Sequence, residues 1–137
     1  MSGYLLDTGP LSAYLLGRRH VVDLVDPWVA ELEAVTSILV YAEVMEYLRS
    51  RSDFTARRSD LLLLLQRVTP FFVTFDIAGR YGELRRQLRP PHGPGLIGDI
   101  DTFIAATALD LDLTLVTMDA DFQRVPGLNV RLLPARG

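Results

Sequence analysis

Carboxylates stand out in an otherwise apolar part of the chain, residues 97–122, which reads IGDIDTFIAATALDLDLTLVTMDADF and contains six aspartates. Aspartate is disfavoured inside helices and strands, yet the other residues have the pattern of a buried helix followed by a buried strand. Two of these acids, Asp101 and Asp119, flank that helix and strand. Two further acids, Asp7 and Glu43, lie in distant apolar segments. These four residues are the candidates for shared chemistry.

Four carboxylates in one cleft repel one another, and a bound cation removes that repulsion. The chain has no cysteine, and neither His20 nor His92 is needed as a ligand. An all-oxygen ligand set favours Mg²⁺ or Mn²⁺ over zinc. Such an ion can orient a phosphodiester, lower the pKa of a bound water and stabilise the leaving oxygen, and two ions can divide these tasks. The residue types therefore predict metal-dependent phosphodiester chemistry.

Short apolar segments alternate with helical segments, which predicts an α/β sandwich with a central parallel sheet. The predicted strands are residues 4–7, 33–36, 70–75, 114–117 and 129–132. The predicted helices cover residues 11–16, 21–32, 38–49, 53–68, 76–88 and 99–111, and Ser37 and Asp76 are expected to be the N-caps of the third and the fifth. Residues 70–75 have the composition of a buried strand, and the leucine run 61–65 predicts a helix that is buried on more than one side.

The carboxyl ends of parallel strands share one edge of a sheet, and binding sites gather there. Asp7 ends the first predicted strand, Asp101 opens the helix after the Pro/Gly loop, and Asp119 follows the fourth strand. Glu43 lies about six residues into its helix, which places it about 9 Å from the edge at about 1.5 Å per residue, and its side chain recovers part of that distance. All four acids are therefore expected to converge.

Three of the four acids also have a local structural interpretation. Asp7 would cap a helix beginning at Pro10, and Asp119 would be a turn aspartate after a strand. Asp101 would gain about 0.3–1 kcal/mol from the dipole at a helix N-terminus. Because four such residues occur together, the ligand interpretation is favoured for each of them.

Other acids in the same segments are assigned to local structure. Asp99 is the natural N-cap of its helix, and Asp121 suits a cap or a turn. Glu46 is the rival of the preferred glutamate, one turn farther from the edge. Asp110 and Asp112 fall at the opposite edge of the sheet and are expected to be solvated.

Length and composition limit the classes of protein to which the chain can belong. Its 137 residues predict a single domain covering residues 1–137, with a net charge of −3. Lysine is absent, which excludes a Walker phosphate loop and a Schiff-base lysine, and the lack of cysteine excludes disulfides and a cysteine nucleophile. No apolar run reaches the roughly 18 residues of a membrane helix, and the N-terminus lacks a signal peptide pattern. A soluble, cytoplasmic protein is expected.

Arginine supplies all of the basic side chains, and many of them occur in two clusters. The clusters are Arg49, Arg51, Arg57 and Arg58, and Arg85, Arg86 and Arg89. They are interpreted either as a solvated face or as contacts to RNA phosphates beside the acidic cleft, since an acidic protein still needs local cations to hold a polyanion. Either cluster could instead meet acidic residues of a protein partner.

Four motifs in order along the chain resemble the PIN domain, and within it the VapC-type toxins of bacterial toxin–antitoxin pairs. They are LLDTGPL with Asp7, VTSILVYAEVMEYL with Glu43, IGDIDTFIAATAL with Asp101 and LTLVTMDADF with Asp119. The resemblance implies a three-layer α/β/α fold and a Mg²⁺- or Mn²⁺-dependent endoribonuclease that acts on tRNA or ribosomal RNA and leaves a 5′-phosphate and a 3′-hydroxyl. It also implies a homodimer and inhibition by a cognate VapB-type antitoxin.

Other α/β proteins that gather acids at strand ends fit the sequence less well. A phosphorylated receiver domain needs a lysine at a later strand end, and a haloacid-dehalogenase-type phosphatase needs an Asp-x-Asp motif where this chain has Asp7-Thr8-Gly9. The remaining alternative is a PIN-like domain that binds RNA or its antitoxin with little cleavage. The intact set of four acids argues against that alternative.

Overall fold

A five-stranded, all-parallel sheet forms the centre of the computed structural model, which describes residues 3–135. The strands are β1 (Tyr4–Leu6), β2 (Ala34–Ser37), β3 (Thr69–Phe71), β4 (Thr114–Thr117) and β5 (Val130–Leu132), in the spatial order β3-β2-β1-β4-β5. The middle strand, β1, pairs with β2 on one side and β4 on the other. Leu5, Leu6, Leu115 and Val116 are fully buried, as expected for parallel strands covered on both faces.

Six α-helices flank the sheet, and the predicted three-layer α/β/α fold is confirmed. They are α1 (Thr8–Leu15), α2 (Arg19–Ala30), α3 (Ile38–Arg49), α4 (Phe54–Leu64), α5 (Phe75–Leu88) and α6 (Asp99–Asp110), with a 3-10 helix at Ala120–Arg124. Helix α1 packs against α2, α3 and α4, while α5 packs against α6. Among the residues from 3 to 135, no helix has the length and apolar character needed to cross a lipid bilayer.

The strand order reverses direction at β1, and this reversal locates the crevice of the fold. The chain proceeds outward from β1 to β2 and β3, and then returns to place β4 on the other side of β1. In sheets of this kind, ligands bind outside the carboxyl ends of the two strands at the reversal. Asp7 follows β1 and Asp119 closely follows β4, so two of the four candidate acids lie at this crevice.

Three local sequence predictions are wrong. Strand β3 ends at Phe71 and lies at the edge of the sheet, and the residues that follow it are exposed, including Phe72 at 70% and Phe75 at 99%. The N-cap of α5 is Thr74, whose hydroxyl accepts a hydrogen bond from the Ile77 amide at 3.2 Å, so Asp76 is not the cap. Helix α6 is preceded by Gly98 at its N-cap, which places Asp99 inside the first turn.

The leucine run offers a test of how α4 is buried. Leu61 is fully buried, whereas Leu63 is 62% exposed, so the predicted burial on several sides is also wrong. We expect Leu61→Ala to lower the free energy of unfolding by about 3 kcal/mol, because it leaves a cavity in the core, and Leu63→Ala to change it by less than about 0.5 kcal/mol. Urea unfolding of the two variants measures both values. Equal losses would contradict the placement of α4.

Candidate functional site

Asp7 lies in the crevice at the end of β1 and is only 7% exposed. It occupies the N-cap position of α1, but its side chain makes no capping hydrogen bond. Its Oδ2 atom instead accepts a hydrogen bond of 2.7 Å from the buried hydroxyl of Thr117, at the end of β4. Burial raises the pKa of Asp7, and the charges of Glu43 and Asp119 add to this effect, while the Thr117 hydrogen bond opposes it.

Glu43 reaches the same region from the second turn of α3. Ser37 caps that helix, as predicted, by accepting a hydrogen bond from the Leu39 amide at 3.1 Å. The Thr8 hydroxyl donates to Glu43 Oε1 at 2.5 Å and so ties α3 to the start of α1. Glu46, one turn later, is exposed and is not among the charges that act on Asp7. Glu43, and not Glu46, therefore lies close enough to act on Asp7, and its role as a ligand stays a prediction.

The pKa of Asp101 is raised by burial and by the charges of the other acids. Burial raises the pKa of Asp101 to about 6, and the charges of Asp7, Asp119, Glu43 and, last, Asp121 add to the shift. The N-terminus of a helix normally stabilises a carboxylate. Asp101 lies in the first turn of α6, so desolvation and like-charge repulsion together outweigh the helix dipole. Four chain segments thus bring their acids into one electrostatic environment.

Asp119 has two roles in this region. Its Oδ1 atom accepts a hydrogen bond of 2.9 Å from the Asp121 amide and caps the short 3-10 helix, which is the turn role considered for it from the sequence. Its charge nevertheless acts on both Asp7 and Asp101. A carboxylate has four lone-pair positions, so a capping oxygen leaves others available. Asp119 is exposed, whereas Glu43 and Asp101 are half-buried and Asp7 is buried.

Asp99 and Asp121 are held by arginines. Asp99 accepts a hydrogen bond from the Tyr81 hydroxyl at 3.0 Å and pairs with Arg85 at 3.3 Å, which joins α6 to α5. Asp121 pairs with Arg124 at 3.0 Å. An acid already paired with a cation is a weaker candidate for a metal ligand, and both residues are assigned to local structure.

The hydroxyls of Thr8 and Thr117 were not singled out from the sequence. The Thr117 hydroxyl donates a hydrogen bond to Asp7 and accepts one from the Asp119 amide at 3.0 Å. One buried side chain therefore positions two of the segments that carry acids. Thr8 holds Glu43 in the same way. The sequence could have indicated these hydroxyls, because a threonine lies at the end of each of two adjacent strands, within two residues of a candidate acid.

A family model described as PIN domain matches residues 4–128. The chain belongs to the PIN-domain family. No curated protein sequence matches it.

Several solved structures share this PIN-domain fold. VapBC-1 from nontypeable Haemophilus influenzae is 26% identical, with a TM-score of 0.78 over 96% of this chain and 98% of that chain. VapBC2 from Rickettsia felis, bound to a DNA fragment from their promoter, is 24% identical, with a TM-score of 0.83 over 97% and 99%. FitAcB from Neisseria gonorrhoeae is 22% identical, with a TM-score of 0.77 over 93% and 95%. The resemblance to VapC-type PIN domains is confirmed by these matches taken together with the family model.

The PIN-domain acids fit a divalent cation by their donor chemistry and charge. Within residues 3–135, no three acidic, histidine or cysteine side chains come close enough to hold a metal ion as they stand. Burial is the largest cause of the raised pKa of Asp101, and the charges of Asp7, Asp119 and Glu43 raise it further. The carboxylates thus share one cleft and affect one another's pKa, but they are too far apart to hold an ion as they stand. Such a separation is expected without a bound cation, because like charges repel.

Removing the Thr117 hydroxyl tests its part in this PIN-domain site. We expect Thr117→Val to lower the free energy of unfolding by about 2 kcal/mol, because the buried Asp7 carboxylate loses a charge-assisted hydrogen bond. Thr117→Ser retains the hydroxyl and serves as the matched control. Thermal unfolding of the two variants measures the difference. A valine variant as stable as the serine variant would mean that this hydrogen bond contributes nothing.

Proposed function

We propose that this protein is the toxin of a toxin–antitoxin pair and acts as a Mg²⁺- or Mn²⁺-dependent endoribonuclease. The observation that carries the proposal is the raised pKa of Asp101, caused by burial and by acids from three other chain segments. A cluster of this kind is unfavourable in the free protein, and strongly perturbed carboxyls in a cleft are typical of functional sites. Membership of the PIN-domain family, whose members are generally nucleases, supports the same conclusion.

We assign the principal ion to Asp7 and Asp101, with Glu43 and Asp119 completing the acidic pocket by direct or water-bridged contacts. When bound, a divalent ion supplies charge stabilisation at the phosphodiester and an activated water. The protein's own contribution is to hold the acids in place. The Thr117 hydroxyl holds Oδ2 of Asp7, and the Thr8 hydroxyl holds Glu43.

The proposed reaction is hydrolysis of an RNA phosphodiester. A water oxygen forms a bond to phosphorus while the bond from phosphorus to the 3′ oxygen breaks, and the 3′ oxygen takes up a proton. The products are a 5′-phosphate and a 3′-hydroxyl, as the family resemblance implies. The RNA class is tRNA or ribosomal RNA.

The partners are proposed to be a VapB-type antitoxin and a second copy of the chain. The antitoxin is supported by similarity to solved VapBC complexes. The homodimer rests on the family resemblance. A cytoplasmic location suits an RNA substrate, and we propose that residues 1–137 act as one domain.

Three of the seven arginines in the two clusters are already paired with acids. Arg51 and Arg57 both pair with Asp53, at 2.8 and 3.1 Å, and these pairs hold the pKa of Asp53 near 2. Arg85 pairs with Asp99. An arginine that is paired with an aspartate is a weaker phosphate ligand, so RNA phosphates are expected to contact other arginines.

A ribonuclease assay on the antitoxin-free protein tests the proposal. We expect cleavage of tRNA or ribosomal RNA with Mg²⁺ or Mn²⁺, no cleavage with EDTA, and loss of cleavage in Asp7→Ala. Glu46→Ala is the matched control, since this exposed glutamate is not among the charges acting on the cluster. Cleavage by Asp7→Ala at the parent rate would show that the activity lies elsewhere. No cleavage of either RNA by any form would favour the binding-only alternative.

A further inference from the structure

A cleft of about 900 Å³ opens beside the acidic cluster. It is called the arginine cleft below, and its lining includes Thr8, Met118, Arg18, Arg19 and Tyr47. Pockets for small molecules and nucleotides are typically about 300–1,000 Å³. The arginine cleft is therefore large enough for a ligand and is not merely a packing gap.

The arginine cleft adjoins the chain segments that carry Asp7 and Asp119 at the crevice of the sheet. Thr8 follows Asp7 in the sequence and Met118 precedes Asp119, so each Cα on the rim lies about 3.8 Å from the Cα of an acidic residue. The Thr8 hydroxyl also donates to Glu43. A strand of RNA with one phosphate at the acids must place a neighbouring nucleotide within a few ångströms, and the cleft offers that space.

Two arginines, Arg18 and Arg19, line the cleft. Arg18 makes no ion pair with any residue between 3 and 135, and Arg19 has only an exposed pair with Asp23 at 3.5 Å, with the two side chains 83% and 65% exposed. Exposed pairs of this kind are weak and are easily exchanged for another partner. Both guanidinium groups are thus available to a phosphate, in contrast to Arg51, Arg57 and Arg85.

Two further side chains in the cleft suit a nucleotide. The ring of Tyr47 is 42% exposed, and an exposed aromatic ring is the usual platform on which a base of single-stranded RNA stacks. His20 also lines the cleft, and its Nε2 atom is buried without a hydrogen-bond partner among the described residues. A buried nitrogen of this kind is normally satisfied by a ligand or a water.

We propose that the arginine cleft binds the nucleotide next to the cleaved bond in single-stranded RNA. Arg18 and Arg19 contact its phosphate, and Tyr47 stacks on its base. Phosphate is favoured over an acidic peptide because the cleft adjoins the place where the scissile phosphate must lie. The inference rests on the proposed function, since it names the substrate contacts of the same site.

The test measures binding separately from cleavage. Fluorescence anisotropy of a labelled, mixed-sequence single-stranded RNA is recorded over a series of salt concentrations, with all substitutions placed on an Asp101→Asn background. We expect the double variant Arg18→Ala/Arg19→Ala to bind about tenfold more weakly, and the slope of log affinity against log salt to fall by about 0.7 for each lost phosphate contact. Arg67 precedes β3, and Arg80 pairs with Asp110 at the end of α6, so both lie at the edge of the sheet opposite to the acids. Arg67→Ala/Arg80→Ala removes two arginines there and should leave the slope unchanged.

Tyr47 is tested by a pair of substitutions. Tyr47→Ala should weaken binding about tenfold through loss of stacking, whereas Tyr47→Phe should bind as the background protein does. Thermal unfolding of both variants identifies any loss of folding, and the phenylalanine variant remains informative if the alanine variant is unstable.

The outcomes separate this inference from the proposed nuclease function. Binding that depends on Arg18 and Arg19 supports the cleft even if the parent protein cleaves no RNA. Unchanged affinity and salt slope in the double variant overturn the inference, even if cleavage is robust. A double variant that binds RNA normally but no longer binds the co-expressed antitoxin would identify the cleft as a protein-docking surface, which also overturns it.

Discussion

Replacing Asp101 with asparagine is expected to abolish metal-dependent RNA cleavage and, at the same time, to make the metal-free protein more stable. The pKa of Asp101 is raised to about 6 by burial and by the neighbouring acids, so its charge is unfavourable in the folded state. Asparagine has nearly the same shape and carries no charge. The substitution therefore relieves repulsion in the folded protein while removing a proposed metal ligand.

The two effects differ greatly in size. Loss of the ligand should lower kcat/KM by about 10³-fold, which corresponds to about 4 kcal/mol of transition-state stabilisation. The stability gain is smaller. A fully buried group with this pKa would contribute about 3 kcal/mol, and solvent screening of the half-buried Asp101 reduces that to about 1 kcal/mol, or about 3 °C in Tm.

Asp99→Asn is the matched control for this experiment. Asp99 lies two positions earlier in the same turn of α6, but it is exposed and paired with Arg85. Its replacement should leave cleavage within about twofold of the parent and should not raise Tm. RNA cleavage kinetics and thermal unfolding in EDTA measure both quantities. An Asp101→Asn protein that cleaves RNA at the parent rate would remove Asp101 from the site.

Mg²⁺ or Mn²⁺ is expected to raise the Tm of the parent protein far more at about pH 8 than at about pH 5. In the metal-free protein the pKa of Asp101 is about 6, compared with its ordinary value of 3.8. Between these values the folded state holds a proton that the unfolded state has lost. Stability in EDTA is therefore greatest below about pH 4 with respect to this group, and falls as the pH rises through about 6.

The metal ion is expected to reverse this loss of stability, because in the proposed site it binds the ionised carboxylates. Protons compete with it at about pH 5, whereas at about pH 8 the acids are ionised and the ion binds without competition. A saturating ion at about 100 times its Kd adds about 2.7 kcal/mol, or about 8 °C in Tm. The raised pKa of Asp7 acts in the same direction.

Differential scanning fluorimetry with and without EDTA, at both pH values, measures this effect. In Asp101→Asn, the response of Tm to the ion should shrink at both pH values, since one ligand is lost. The Asp99→Asn protein should respond as the parent does. An equal rise in Tm at both pH values would mean that the ion binds away from Asp7 and Asp101, the two carboxyls with a raised pKa.

The central part of the fold was predictable from sequence because its pattern is local. Strand β4 has the predicted bounds, and the capping of α3 by Ser37 follows from residues close together in the chain. The convergence of acids from distant segments was predictable for a different reason. Parallel strands place their carboxyl ends at one edge, so topology alone brings Asp7 and Asp119 to the same crevice.

The errors arise where an environment depends on distant parts of the chain. The composition of residues 70–75 suits a buried strand, but nothing in that segment reveals that β3 would become the edge of the sheet. The capping preference of Asp99 was outweighed by Tyr81 and Arg85, which reach it from α5. The Thr117–Asp7 hydrogen bond joins opposite ends of the chain, and its partners cannot be matched by spacing.

The position of β4 beside the middle strand affects when the molecule becomes complete during synthesis. Strand β1 is made first, but its neighbour β4 begins at Thr114, near the end of the chain. A nascent chain that has not yet reached this point lacks both the core strand next to Leu6 and the segment that carries Asp119. Under the proposed function, the acidic site can assemble only after synthesis has passed Asp119, and shorter nascent chains are expected to lack nuclease activity.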